Sequence, residues 1–303
     1  MTMATMVTGA LGYTGRSIVK ELARRGREVI GYNRDYSEIA VDHVKHVQGE
    51  LYDIPRIVET IRKHGIDHII HTAAMSHPDL SIDLPITTVT ANIGGTVYLL
   101  EAAKMAGVKK FVNFSSETVY GHIEGRITEG SPLSPTTPYG VTKVATELFG
   151  KVYNELYGMN VVSLRIAEVY GPGNKMPQIH RDIIKTVLKG ETFRMATGAD
   201  HRFQFIHVDD VVNAAILASE AGKVAGYVFN ISGGGYWTLR ETANMIRNFV
   251  PNAHIEIGEG FWHLDRQGRW DISAAERELG YKPAVSLENG TQHYIEWLQK
   301  NEY

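Results

Sequence analysis

The 303-residue chain predicts an α/β fold, a doubly wound parallel Rossmann sheet of about seven strands with a smaller C-terminal substrate-binding cap. Three features predict it. Short β-branched or apolar runs alternate with helical patterns over the first two-thirds of the chain. A glycine triplet at residues 9, 12 and 15 follows the first run. After Tyr170, Gly171-Pro172-Gly173 breaks the alternation, and shorter helices with interspersed loops follow.

The strand candidates are residues 3–8, 28–33, 46–51, 68–74, 110–116, 161–169 and 227–232. Most are apolar on both faces, as strands buried in a parallel sheet must be. Between the first two, residues 15–26 place Ile18, Val19, Leu22 and Ala23 on one helical stripe, with arginines and a lysine opposite. Residues 57–63 and 89–106 fill the same crossover role. The loop 121–138 holds Pro132, Pro135 and Pro138, so it is long but stiff. The expected division is a dinucleotide-binding domain of residues 1–170 plus 208–234, and a cap of 171–207 plus 235–303.

Composition excludes several classes. Lysine plus arginine is 31 against 34 acids, a net charge of −3, so no basic field recommends nucleic acid or an anionic membrane. There are no cysteines, which removes disulfides, thiolate nucleophiles and iron–sulfur clusters. No apolar run reaches the ~18 residues of a membrane span, and no leader pattern precedes the first strand. A cytoplasmic protein is expected, with neither nucleic-acid nor membrane partner.

Thr8-Gly9-Ala10-Leu11-Gly12-Tyr13-Thr14-Gly15 joins the first strand to the first helix. Gly9 permits the tight turn, Gly12 lets backbone amides approach a pyrophosphate, and Gly15 allows close helix–strand packing. The unpaired N–H groups and positive dipole end of that helix would face the phosphates, with Tyr13 and Thr14 alongside. The expected cofactor is therefore NAD(P)(H). Asn33-Arg34-Asp35 ends the second strand, where an acid would suit the ribose of NAD and a base the 2′-phosphate of NADP. Asn33 repels nothing and Arg34 can pair with phosphate, so NADP is favoured over NAD, although Asp35 works against it. Glu50-Leu51 would meet the adenine, and Ala73 and Ala74 would let the cofactor lie close.

Tyr139-Gly140-Val141-Thr142-Lys143 opens a helix expected to reach about Leu156. Tyr139 and Lys143, at i and i+4, share one face. A phenol near its ordinary pKa of ~10 is a poor base at neutral pH. A neighbouring ammonium and an oxidised nicotinamide would both favour the phenolate and lower that value. Ser116, at a strand end, could donate a hydrogen bond to the substrate oxygen.

With these motifs in order, the chain resembles the extended short-chain dehydrogenase/reductase family in its NAD-dependent epimerase/dehydratase branch. The resemblance spans almost the whole chain. It rests on the glycine loop, Thr72-Ala73-Ala74, Asn92-Ile93-Gly94-Gly95-Thr96 and Ser115-Ser116-Glu117-Thr118-Val119-Tyr120-Gly121. It continues through Tyr139 to Lys143, Arg165 to Pro172, Ile206-His207-Val208-Asp209-Asp210 and Leu279-Gly280-Tyr281-Lys282-Pro283. It implies Tyr139 as acid/base, Lys143 as ribose ligand and pKa-lowering charge, and Ser116 as the group that orients substrate. Asn92 is counted with the cofactor-binding set and given a mainly structural part. Relatives acting on nucleotide sugars commonly carry asparagine where Glu168 stands, and Arg-Asp where Phe203-Gln204 stand. Arg202 is one place early, which on a strand turns it to the opposite face. Both changes remove expected phosphate contacts. The 4,6-dehydratases of the branch use an Asp-Glu pair, against Glu117-Thr118 here, so dehydration is not expected.

Ser76 and His77 follow the fourth strand at the sheet's carboxyl edge and are candidate substrate contacts, with Glu117, Thr118 and Glu168. Trp262, His263 and Arg266 could line a cap pocket. The thirteen histidines show no ligand spacing of a known site, so no metal is expected. Val141, Val144, Leu148 and Val152 form a second apolar stripe on the Tyr139 helix, which suggests a homodimer. The expected function is hydride transfer between NAD(P) and a secondary alcohol or ketone of a sugar-like compound. The alternative is a sugar or nucleotide-sugar epimerase with tightly bound NAD. A third reading, a non-catalytic dinucleotide sensor, has no use for the Tyr139/Lys143/Ser116 set.

Overall fold

The computed structural model describes residues 4–36 and 41–301. Seven strands form one parallel sheet: β1 (Ala4–Thr8), β2 (Glu28–Asn33), β3 (Val44–Gln48), β4 (Ile66–His71), β5 (Lys110–Ser116), β6 (Val161–Ile166) and β7 (Val228–Ile231). Their order is β7-β6-β5-β4-β1-β2-β3, so the winding reverses between β1 and β4 and opens a crevice at their carboxyl ends. The expected residue 3 lies outside the described residues.

The main helices are α1 (Tyr13–Arg24), α2 (Ile54–His64), α3 (Gly95–Ala106), α4 (Pro138–Tyr157), α5 (Ile179–Leu188), α6 (Val208–Glu220), α7 (Leu239–Phe249) and α8 (Leu287–Lys300). Ile18, Val19 and Leu22 of α1 pack with Val211 and Ala215 of α6 on one face of the sheet. Ile57 and Ile61 of α2, Leu99 and Leu100 of α3 and Tyr153 of α4 pack on the other. A third cluster lies outside the large sheet, where Ile183, Phe203, Phe205, Leu239, Ile246 and Tyr294 join α5, α7 and α8.

Several boundaries differ from expectation, each for a local reason. β3 ends at Gln48 because Gly49 donates to Asn33 O (2.8 Å) and the chain then turns. Glu50 and Leu51 therefore lie in the turn that leads to α2, not in the strand. β4 stops at His71, and Ala73 and Ala74 occupy the loop beyond it. The expected strand 161–169 divides at Ala167: Glu168–Tyr170 leaves the sheet and pairs in parallel with Phe205–His207. A single turn of π-helix, Thr90–Gly94, precedes α3. The loop after β5 also contains a strand, Ile123–Ile127, paired in parallel with Gln267–Trp270 from far along the chain. Its sequence, Ile-Glu-Gly-Arg-Ile, carries too little alternation for a period-2 reading.

Candidate active site

The glycine loop is built as a cradle. Gly9 has φ +69°, and a Cβ there would sit 2.8 Å from the Ala73 nitrogen. A Cβ on Gly15 would lie 2.2 Å from Gly9 O, so α1 can approach the loop only without one. Gly12 precedes α1 and supplies no side-chain cap, which leaves the first-turn N–H groups facing the crevice. Asn33 holds the loop from beneath, its Oδ1 accepting from Leu11 N at 3.0 Å. Such a cradle fits a pyrophosphate. Below it, His71 accepts from the Thr8 hydroxyl at Nδ1 (2.7 Å) and bonds Thr96 Oγ1 at Nε2 (3.0 Å). Thr96 donates to Asn92 O, so its oxygen must accept from Nε2–H. Burial pushes the His71 pKa down to about 3.

The Tyr139 helix starts where its caps require. Thr137 accepts from Gly140 N at 3.2 Å, Pro138 takes the first helical position, and Gly158 ends α4 in the left-handed conformation. This sets Tyr139 and Lys143 into a cleft of about 610 Å³ that Gly9, Gly12, Ser116 and Thr118 also line. Ser116 Oγ accepts from Thr118 N (3.3 Å) and Thr118 Oγ1 (3.1 Å), leaving its own hydrogen free to point at Tyr139. The expectation of a lowered tyrosine pKa is not met by the protein's own charges. Burial pushes Tyr139 up to about 12, against the Ser116 hydrogen bond, and Glu117 and Glu168 push it further. Lys143 Nζ stands 5.4 Å from the Tyr139 ring centre and donates to Phe114 O at 2.6 Å. Burial brings Lys143 down to about 8; Glu147 counters only in part, being held in a bidentate pair by Arg165 (2.9 and 2.7 Å).

Glu117 and Glu168 meet in the same cleft. Glu117 follows Ser116, and Glu168 opens the strand that leaves the main sheet after β6. Burial raises the pKa of both carboxyl groups, Glu117 the more, because the negative charge of Glu168 adds to it. The cap completes the wall with Gln178, Asp182, Phe203, Trp262, His263 and Leu264. The one-residue shift on the strand Arg202–Phe203 has the expected result. Phe203 faces this cleft, and Arg202 faces a second cavity of about 410 Å³ shared with Arg266. Between them Gln267 Nε2 donates to Glu117 O at 2.8 Å.

The structure thus brings together most of the residues singled out in the sequence. Gly9, Gly12, Tyr13, Thr14, Ala73, Ala74, Ser76, His77, Ser116, Glu117, Thr118, Tyr139, Lys143 and Glu168 all border the cleft. Gly15 and Asn33 support the loop from outside it, and Leu51 packs near Gly95. Glu50 offers its backbone oxygen to Tyr32 (3.1 Å). Arg34 is exposed and pairs with Asp35 at 3.6 Å. Asn92 is buried and structural: it accepts from Met75 N at 2.8 Å and donates to Thr142 Oγ1 at 3.0 Å, tying the β4 loop to α4. Gln178 and Asp182 were not singled out in the sequence; they lie in a segment whose spacing carries no chemical signature. Among the described residues no group of three potential metal ligands occurs, and no helix is long and apolar enough to cross a membrane.

A parallel sheet with a glycine cradle at its switch point, beside a Tyr-x-x-x-Lys helix and a serine, defines a dinucleotide-dependent α/β enzyme architecture. The chain belongs to the NAD dependent epimerase/dehydratase family, whose model matches residues 5–232. It is 30% identical over 316 residues to a dTDP-glucose 4,6-dehydratase of Streptomyces antibioticus, covering 99% of this chain and 93% of that one. It is 31% identical over 318 residues to a UDP-glucose 4-epimerase of Mycolicibacterium smegmatis, covering 98% and 99%. The crystal structure of the dTDP-glucose 4,6-dehydratase DesIV of Streptomyces venezuelae with NAD superposes with a TM-score of 0.87 at 29% identity, covering 99% and 98%.

Proposed function

We propose that the protein is an NAD-dependent sugar epimerase that keeps its cofactor, with nucleotide sugars as the substrate class to test first. The observation that carries this reading is the meeting of Ser116, Tyr139 and Lys143 with the glycine cradle in one cleft. The epimerases and dehydratases among its relatives support a redox-neutral cycle, which moves the epimerase ahead of the net dehydrogenase expected first from the sequence. Thr118, which carries no carboxyl group beside Glu117, favours epimerisation over the dehydration seen in the relatives' names.

NAD is also preferred here to the NADP favoured by the sequence. A 2′-phosphate near Arg34 would meet the Asp35 carboxylate that already pairs with it. The relative with bound dinucleotide holds NAD. Gly9, Gly12, Tyr13 and Thr14 would hold the pyrophosphate, and Lys143 the nicotinamide ribose. NAD supplies a hydride acceptor and donor and, when oxidised, a positive charge. Tyr139 takes the proton from the substrate hydroxyl and later returns it. Since burial holds its proton up to about 12, added positive charge in the loaded site is what brings it within range. Thr118 fixes the Ser116 rotor, so Ser116 donates to the same substrate oxygen. Among the described residues Lys143 is the one arginine or lysine on the cleft wall, so a substrate diphosphate would draw on Arg202 and Arg266 of the adjacent cavity.

The test is to denature freshly purified protein and weigh any released nucleotide. Near-stoichiometric NAD is expected; NADP, or no nucleotide, overturns the retained-NAD reading. Incubated with UDP-glucose and dTDP-glucose, the protein should yield a product of unchanged mass and altered sugar configuration. Tyr139→Phe should still release NAD but turn over about 100-fold more slowly or worse.

We also infer that α3 and α4 pair with a second copy of this chain. Val141, Leu148, Val152 and Leu156 of α4 are exposed beside Tyr98 and Met105 of α3. Val144, from the same predicted stripe, instead packs toward the monomer core. An apolar face of this extent on a folded chain marks a contact surface.

A further inference from the structure

We infer that the sugar bound in this cleft carries an ammonium group, and that Glu117 and Glu168 select it. This names the substrate class of the site described above, and it rests on the reading that the cleft turns over a sugar.

The cleft wall is rich in carboxylates and poor in cations. Asp79, Glu117, Glu168 and Asp182 border it, against Lys143 as the one lysine or arginine among the described residues. Asp182 has a cation of its own, Arg181 at 3.5 Å. Lys143 donates to Phe114 O at 2.6 Å, and Arg165 is held by Glu147. Glu117 and Glu168 are left half-buried on the wall with no positive side chain beside them among the described residues. The two departures from the pattern of nucleotide-sugar relatives act in the same direction. Glu168 in place of asparagine adds a negative charge to the wall, and Phe203 in place of arginine removes a positive one. Gln204, which replaces the acid next to that arginine, points inward and bonds Gly268 O (3.0 Å) and Trp270 N (2.6 Å). Its neutrality therefore returns nothing to the cleft. Phe203 and Trp262, with ring centres 6.3 Å apart, add aromatic surface to the same wall, and aromatic faces attract an ammonium.

An independent feature marks the place beside Glu168 as a ligand position. Gln178 is 6% exposed, and its Oε1 is occupied at the start of α5 by Arg181 N at 2.9 Å. Its Nε2 lies toward Glu168 and completes no hydrogen bond, a buried donor lacking an acceptor on the cleft wall. Such a donor is costly unless a ligand oxygen meets it. A sugar with an ammonium next to a hydroxyl satisfies both needs. The ammonium donates to the carboxylates, and the hydroxyl oxygen accepts from Nε2. Among the described residues no three potential metal ligands converge, so an organic cation fits here better than a metal ion. The same positive charge would act on Tyr139, whose proton Glu117 and Glu168 hold more tightly. A diphosphate on the same substrate falls to Arg202 and Arg266 in the adjacent cavity.

The probes are UDP-glucosamine and UDP-3-amino-3-deoxyglucose, which place the ammonium on either of two ring carbons. UDP-glucose and UDP-N-acetylglucosamine are their uncharged counterparts, and glucosamine against glucose repeats the comparison without the nucleotide. Binding to the protein as purified is measured by calorimetry at pH ~6.5, where the amines carry their protons. At least one amino sugar should bind about tenfold tighter than its hydroxyl counterpart, and N-acetylation should remove that gain. Glu117→Gln and Glu168→Gln should each bring the ratio of the two affinities toward one, whereas Glu168→Asp should keep part of it. A ratio taken within one variant is insensitive to a general loss of folded protein. No ammonium preference in either series, or a preference undiminished in both glutamine variants, overturns the inference. Selective binding of an amino sugar with no epimerisation of any probe would refute the epimerase reading alone. Epimerisation of UDP-glucose with no ammonium preference would refute this one alone.

Discussion

His71 and His180 show how burial fixes protonation in this molecule. Each is enclosed, each makes a hydrogen bond to a threonine hydroxyl, and burial pushes each pKa down to about 3. In the unfolded chain both would titrate near ~6.5. As pH falls below that value the unfolded state binds these protons first, so the stability they contribute is full above ~6.5 and is lost as pH falls toward about 3. Each group contributes a slope of about 1.4 kcal/mol per pH unit inside that window. Their ring resonances should therefore stay neutral in NMR titrations of the folded protein down to pH ~5. A shift centred near the ordinary histidine value would contradict the enclosed, neutral rings.

At the scale of elements, the junction of β1 and α1 has little tolerance. Gly15→Ala would drive a methyl group into the Gly9 carbonyl, and relief requires α1 to move off the loop. We expect about 1–3 kcal/mol of destabilisation, read as a lower melting temperature, together with loss of co-purifying NAD. A stable variant with full NAD would show that the loop yields instead. This junction was legible in the sequence because three glycines at fixed offsets leave few alternatives. The same holds for α4, whose Thr137, Pro138 and Gly158 bracket it. β3 was misplaced by a few residues because the turn at Gly49 falls before Leu51, and β4 because Ala73 and Ala74 carry apolar character past the last ladder bond. The strand Ile123–Ile127 was missed because its partner lies far away in sequence, and pairing rather than local propensity makes it a strand.

For the whole molecule, the exposed apolar face of α3 and α4 carries the strongest prediction. Leu148→Glu with Leu156→Glu should convert a dimer to a monomer in sedimentation, with the fold intact because both side chains are exposed. A wild-type chain that sediments as a monomer at micromolar concentration would remove the proposal. The doubly wound parallel sheet and the Tyr139–Lys143–Ser116 grouping were legible from spacing, since parallel strands deliver their carboxyl ends to one edge. The carboxyl pair was legible only as two departures, Glu117 and Glu168, considered separately. Their meeting depends on where Glu168–Tyr170 turns away from β6, which no local pattern encodes.

The parallel pairing of Ile123–Ile127 with Gln267–Trp270 has an evolutionary consequence. With the bonds from Gln267 to Glu117, Arg266 to His122 and Thr136 to Asp265, it sews the segment following the serine strand to the far end of the chain. Drift in either segment is felt by the other, so the two are constrained to change together. A chimera that imports residues 262–270 from a relative would need that relative's 117–136 as well, and swapping either alone should misplace the Glu117 carboxyl.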